Sequence, residues 1–131
     1  MIKSIALIVL GVLIALVGQY CLKAGMNQVG RISGEVLSNP VATFIKVFSN
    51  WLVWLGLLFY VLSALIWLVV LSRVDLSFAY PFIGINYILV LLVSRFALGE
   101  QVGWIRWSGA VIIFVGVSLI GLENYLQGVF K

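Results

Sequence analysis

The sequence predicts an all-α membrane protein of four transmembrane helices with antiparallel neighbours. Three observations predict it. The 131 residues are 64% hydrophobic and only 9% charged, against about 45–50% apolar and about 25% charged in a soluble domain. Mean hydropathy is +1.24. The apolar residues gather into four runs without a single Asp or Glu, each near the length, about 20 helical residues, that a bilayer core of about 30 Å demands. The length suits one compact helical unit, read as a single domain over 1–131.

The first span runs from about Ile5 to Ala24. Lys3 before it is also how a secretory leader begins, but no small-x-small cleavage site follows, and Gln19-Tyr20 before Cys21 does not make a lipoprotein box. The second span is Trp51–Leu71, the third about Leu76–Phe96 and the fourth about Trp104–Leu122. Lipid offers the backbone no hydrogen-bond partner, so each span is read as a helix. Trp51, Trp54, Trp67, Trp104 and Trp107 fall near span ends, where amphipathic rings prefer the interface. Asp75 or Ser77 can cap the third helix, and Pro81 stands close to its start, where a missing N–H costs less than in mid-helix; if the helix starts earlier, Pro81 kinks it.

The longest connection, 25–50, is polar and Gly-rich in its first half, and its second half, 40–49, suits a short interfacial helix. The other connections are tight. With four spans, Lys3, Arg73 and Lys131 share one side, and Lys23, Arg31, Lys46, Arg95 and Arg106 the other. That split favours a cytoplasmic long connection, by a margin narrow enough to leave dual insertion open.

The net charge of +4 places cations at the headgroups, either as topological flanks or as binding groups. There is no His and a single Cys21, so neither an intrachain disulfide nor a Cys/His metal site is expected. No phosphate-binding glycine loop and no Ser/His/Asp set is present. Neither an enzyme, a cofactor nor a nucleic-acid partner is expected. The four acids, Glu35, Asp75, Glu100 and Glu123, lie at or beyond the ends of the runs. Cation pathways through membranes are marked by intramembrane ionisable groups, and these spans carry no such acid.

Polar residues that interrupt the spans are the candidate site. Gln19 and Lys23 are spaced i, i+4 and share a helix face. Lys23 either snorkels to the interface or holds a phosphate, with Gln19 deeper. Tyr60, Ser63 and Trp67, at i, i+3 and i+7, make a polar-aromatic wall. Tyr80, Asn86 and Tyr87 either hydrogen-bond between helices or contact substrate. Arg95 is a flanking charge or a fork for phosphate, and Glu100 closes the loop between the third and fourth helices. Gly109 and Gly116, seven residues apart, define with Ile112 and Ile113 a packing face, within the chain or between copies.

Taken in order, three pieces resemble the drug/metabolite transporter superfamily in its four-helix, EamA-like branch. They are Gly18-Gln19-Tyr20-Cys21-Leu22-Lys23, the stretch from Trp67 through Arg73, Asp75 and Ala79-Tyr80-Pro81, and Leu98-Gly99-Glu100 followed by Trp107 to Gly116. Small multidrug resistance proteins share this bundle, but their membrane glutamate would fall at Ala15, which binds neither proton nor cation. The chain looks closer to the subunits of the flippase for aminoarabinose linked to undecaprenyl phosphate. Their similar Gly-Gln-x-Cys-x-Lys and Ala-Tyr-Pro segments match Gly18, Gln19, Cys21, Lys23, Ala79, Tyr80 and Pro81. The resemblance implies an inner-membrane protein that moves a polyprenyl-phosphate sugar between leaflets, in envelope-glycan modification, as a dimer with itself or with a paralogous four-helix subunit. The longer connection 25–50 departs from that pattern.

A phosphoglycolipid needs cations at the membrane edge, polar side chains for its sugar and an apolar groove for its tail. Lys23, Arg95, Gln19, Tyr80, Asn86 and Tyr87 supply the first two, and surrounding lipids contact the rest. One four-helix unit encloses little volume, so a dimer with substrate between protomers is expected. Two alternatives stand beside the flippase: an exporter of cations or small metabolites working through Glu100 or Asp75, and a non-transporting partner of a larger membrane enzyme.

Overall fold

The computed structural model describes residues 2–32, 34 and 38–129; Glu35 and Lys131 lie outside them. Among the described residues five helices follow one another: α1 (Ile2–Val29), α2 (Pro40–Phe48), α3 (Trp51–Leu71), α4 (Leu76–Phe96) and α5 (Trp104–Val129). All but α2 are long and apolar enough to cross a bilayer. The chain is thus an all-helical, four-span membrane bundle.

α1, with 28 residues, is about 42 Å long at about 1.5 Å per residue, longer than its apolar run. Its extra turns are held by α3. Gly25 lies against Leu52 and Val53, and the Asn50 side chain donates from Nδ2 to the Gly25 carbonyl at 3.4 Å and to Gln28 Oε1 at 3.0 Å. Asn50 also caps α3, its Oδ1 accepting from the Leu52 N–H at 2.9 Å. Asn50→Ala removes the cap and both ties. It is expected to cost about 1–2 kcal/mol and lower the unfolding midpoint of the protein in detergent, whereas Asn50→Asp keeps the cap.

α1 packs along its length on α3, through Gly11, Gly18 and Gly25, which recur every seven residues on one face. At the middle of this seam the backbones nearly touch: a Cβ on Gly56 would sit 2.9 Å from the Gly18 carbonyl oxygen. Ser63 adds a bond from its Oγ to the Gly11 carbonyl at 3.0 Å. α4 rests on α1 and on α5. α3 and α4, although consecutive, touch little, because α1 is the helix that contacts both. They meet near their shared turn, where Ile8, Val70 and Ala79 form the buried core.

At the start of α4, Asp75 holds the cap position but its side chain makes no capping bond; its carbonyl accepts from the Phe78 and Ala79 N–H groups. Pro81 is buried inside the helix, nearly two turns beyond the cap and past the first turn where a missing N–H would be harmless. Past the end of α4 the chain turns at Gly99, whose φ of +66° suits glycine, and the Glu100 N–H turns back to the Ser94 carbonyl at 2.9 Å. In the long connection, α2 carries Val41, Phe44, Ile45 and Phe48 on one face, spaced i, i+3, i+4 and i+7. Trp54 Nε1 donates to the Phe48 carbonyl at 2.8 Å and pins α2 to the start of α3.

Candidate functional site

α1 and α4 run parallel. They close on each other at Ile8 and Ala79, and at the other end they part around a cleft of about 260 Å³. Leu16, Val90, Val93 and Leu98 give it apolar walls, and Gln19, Tyr20, Lys23, Ser94 and Glu100 give it polar ones. Lys23 Nζ stands 3.2 Å from Glu100 Oε1 across the mouth, with side chains 51% and 35% exposed. Among the described residues this is the one ion pair between side chains. Gln19 sits one turn deeper than Lys23 on the same wall.

Asn86 is not among the residues that line the cleft. It shares a stripe of α4 with Ala79, Val90 and Val93, the residues that face α1, and its Oδ1 is buried without a hydrogen-bond partner. A buried amide oxygen left unsatisfied is costly.

The remaining sequence-predicted residues divide among other surfaces. Arg95 is not beside Lys23: one residue past Ser94, it turns to an outer groove of about 860 Å³ with Gln101, Val102, Gly103, Trp104 and Trp107. Tyr60, Ser63 and Trp67 line one stripe of α3, but Ser63 is committed to Gly11 and Tyr60 packs by Gly18. Trp67 meets Tyr80 edge-on, with ring centroids 6.5 Å apart. Tyr87, one heptad beyond Tyr80, is exposed with it. On α5, Ile113 and Val117 crowd Gly84 of α4, whereas Gly109 and Gly116 meet nothing within 4 Å and Ile112 is 71% exposed.

Sequence reasoning left out Tyr20, Ser94 and Leu98, and gave Glu100 a loop role that its backbone N–H performs while its carboxylate faces Lys23. A signal was available. Lys23 stands at the end of the first span and Glu100 just past the third, and these two ends lie on the same side of the membrane.

No family model matches the chain, and no solved structure matches it. Curated relatives do. A probable 4-amino-4-deoxy-L-arabinose-phosphoundecaprenol flippase subunit ArnE from Pseudomonas savastanoi pv. phaseolicola is 42% identical over 75 residues, 57% of this chain and 65% of the relative. Its counterpart from Pectobacterium atrosepticum is 32% identical over 117 residues, 89% of this chain and 96% of the relative. The chain belongs to this family of flippase subunits. The family's subunit from Aeromonas salmonicida is 38% identical over 82 residues, 63% of this chain and 71% of the relative. The match to the Pseudomonas savastanoi subunit spans just under two thirds of that relative's length, 65%. With four spanning helices, membership of this flippase family makes the chain a multi-pass protein of the bacterial inner membrane.

Proposed function

We propose that the chain is a flippase subunit that moves a polyprenyl-phosphate-linked sugar across the inner membrane. The observation that carries this reading is the α1–α4 cleft, with a cation at its mouth and apolar walls below. Lys23 takes the phosphate at the membrane edge, Gln19 and Asn86 offer successive polar contacts to sugar hydroxyls, and the apolar walls with the surrounding lipid take the tail. Tyr80 and Tyr87, exposed on α4, widen that polar path, and Arg95 in its outer groove serves as a second contact for the lipid phosphate or neighbouring headgroups. α2 lies in the interface plane, where the apolar stripe from Val41 to Phe48 meets acyl chains.

A single copy encloses little volume. The open face of Gly109, Ile112 and Gly116 permits close backbone approach, so we place a second four-helix subunit there, identical or paralogous. No enzymatic step enters this reading.

Native mass spectrometry of the purified protein in mild detergent tests both points. An undecaprenyl-phosphate sugar competes against a hydrophobic cation of similar mass, and the oligomer mass is read in the same spectra. Retention of the anionic lipid on a dimer is expected. Retention of the cation would overturn the flippase reading in favour of an exporter using Glu100 or Asp75, and a monomer throughout would overturn the two-subunit arrangement.

A further inference from the structure

We infer that Glu100 selects the charge of the lipid's sugar: its carboxylate is the seat for a cationic amine on a headgroup whose phosphate is held by Lys23. This rests on the flippase reading above. A phosphate-binding site has no need of an acid, yet this cleft places one 3.2 Å from its cation. The loop does not explain it, because the backbone N–H of Glu100 makes the closing bond to Ser94 and leaves the carboxylate uncommitted to the turn. Among the residues lining the cleft it is the one acid.

The pair sets a rule for what can enter. A headgroup bearing only a phosphate reaches Lys23 by separating it from Glu100. That leaves a carboxylate without its counter-ion and beside a second anion, a like-charge arrangement that works against binding. A headgroup bearing both a phosphate and an ammonium group exchanges one ion pair for two. Charge complementarity of this kind contributes more to discrimination than to raw affinity. Gln19, Tyr20 and Ser94 surround the pair and suit the hydroxyls of a sugar carrying that amine.

The test uses the full chain in mild detergent and two lipids. One is undecaprenyl phosphate bearing 4-amino-4-deoxyarabinose; the other bears arabinose, with a hydroxyl in place of the amine. The wild type should prefer the amino lipid by about fivefold, the scale of one partly exposed ion pair. E100Q should abolish the preference, by binding the hydroxyl lipid more tightly as well as the amino lipid less tightly, and E100D should keep it. An unchanged preference in E100Q, or an equal weakening of both lipids, overturns the inference. So does equal binding of the two lipids to the wild type, which leaves the flippase reading standing. Failure of the wild type to hold either lipid overturns that reading, and the inference with it.

Discussion

Gly56→Leu is expected to abolish the folded bundle. A Cβ at this position would lie 2.6 Å from Leu22 Cγ and 2.9 Å from the Gly18 carbonyl oxygen. Leu22 can shift, but Gly18 is backbone at the centre of the α1–α3 seam and cannot move without separating the helices. The clash is reciprocal, since a Cβ on Gly18 would stand 3.0 Å from the Gly56 carbonyl oxygen. Overpacking of this kind costs about 1–3 kcal/mol for a small added group. Gly56→Ala should therefore lower the thermal midpoint in detergent, followed by tryptophan fluorescence, and Gly56→Leu should leave no cooperative transition. Gly121→Ala is the control, because nothing lies within 4 Å of that position. Equal midpoints for Gly56→Leu and the wild type would refute the close approach.

Lys23→Ala should weaken binding of an undecaprenyl-phosphate sugar by about ten- to a hundredfold, and slow its movement between leaflets of reconstituted vesicles accordingly. A hydrogen bond to a charged group contributes about 1.5–3 kcal/mol, and each 1.4 kcal/mol is about tenfold in affinity. The substitution also strips Glu100 of its partner 3.2 Å away, so an incoming phosphate meets an unpaired carboxylate. Lys23→Arg keeps the charge and should retain most binding. Arg95→Ala should have the smaller effect, because Arg95 faces the groove of Trp104 and Trp107 instead of the cleft. A normal Lys23→Ala protein beside a defective Arg95→Ala protein would move the phosphate to that outer groove.

Much of the fold was legible because lipid imposes a coarse and severe rule on sequence. The Trp51–Leu71 and Leu76–Phe96 helices coincide with apolar runs bounded by Asn50, Asp75 and the Leu98-Gly99-Glu100 turn. The ends of α1 and α5 were less legible. Past Ala24 and Leu122 the chain is polar enough to leave the bilayer, and what keeps it helical is tertiary or local. Asn50 reaches back to Gly25 and Gln28, and Gln127 donates to Glu123 one turn earlier at 3.2 Å.

Lateral order in the bundle was not written in hydropathy at all. It follows from small residues, and the seven-residue recurrence of Gly11, Gly18 and Gly25 carries the same signal as Gly109 and Gly116. Of the candidate site, Gln19 and Lys23 stood out as polar residues on one face. That Arg95 parts from Ser94 follows from the turn of about 100° between neighbouring helical residues, but which of the two faces Lys23 and Glu100 depends on how α4 rotates against α1, which no spacing within one helix reveals.

The glycine seam has a mechanical consequence. α1 and α3 approach backbone to backbone at Gly18 and Gly56 and again where Gly25 meets Val53, and α4 and α5 interlock where Val117 and Ile113 fill the notch at Gly84. The subunit is thus two stiff blades joined along α1 and α4, riveted at Ile8 and Ala79 and unfastened toward Lys23. Widening the gap between the blades flexes neither of them. Such a pivot would part Lys23 from Glu100 and change the width of the cleft while leaving both seams closed.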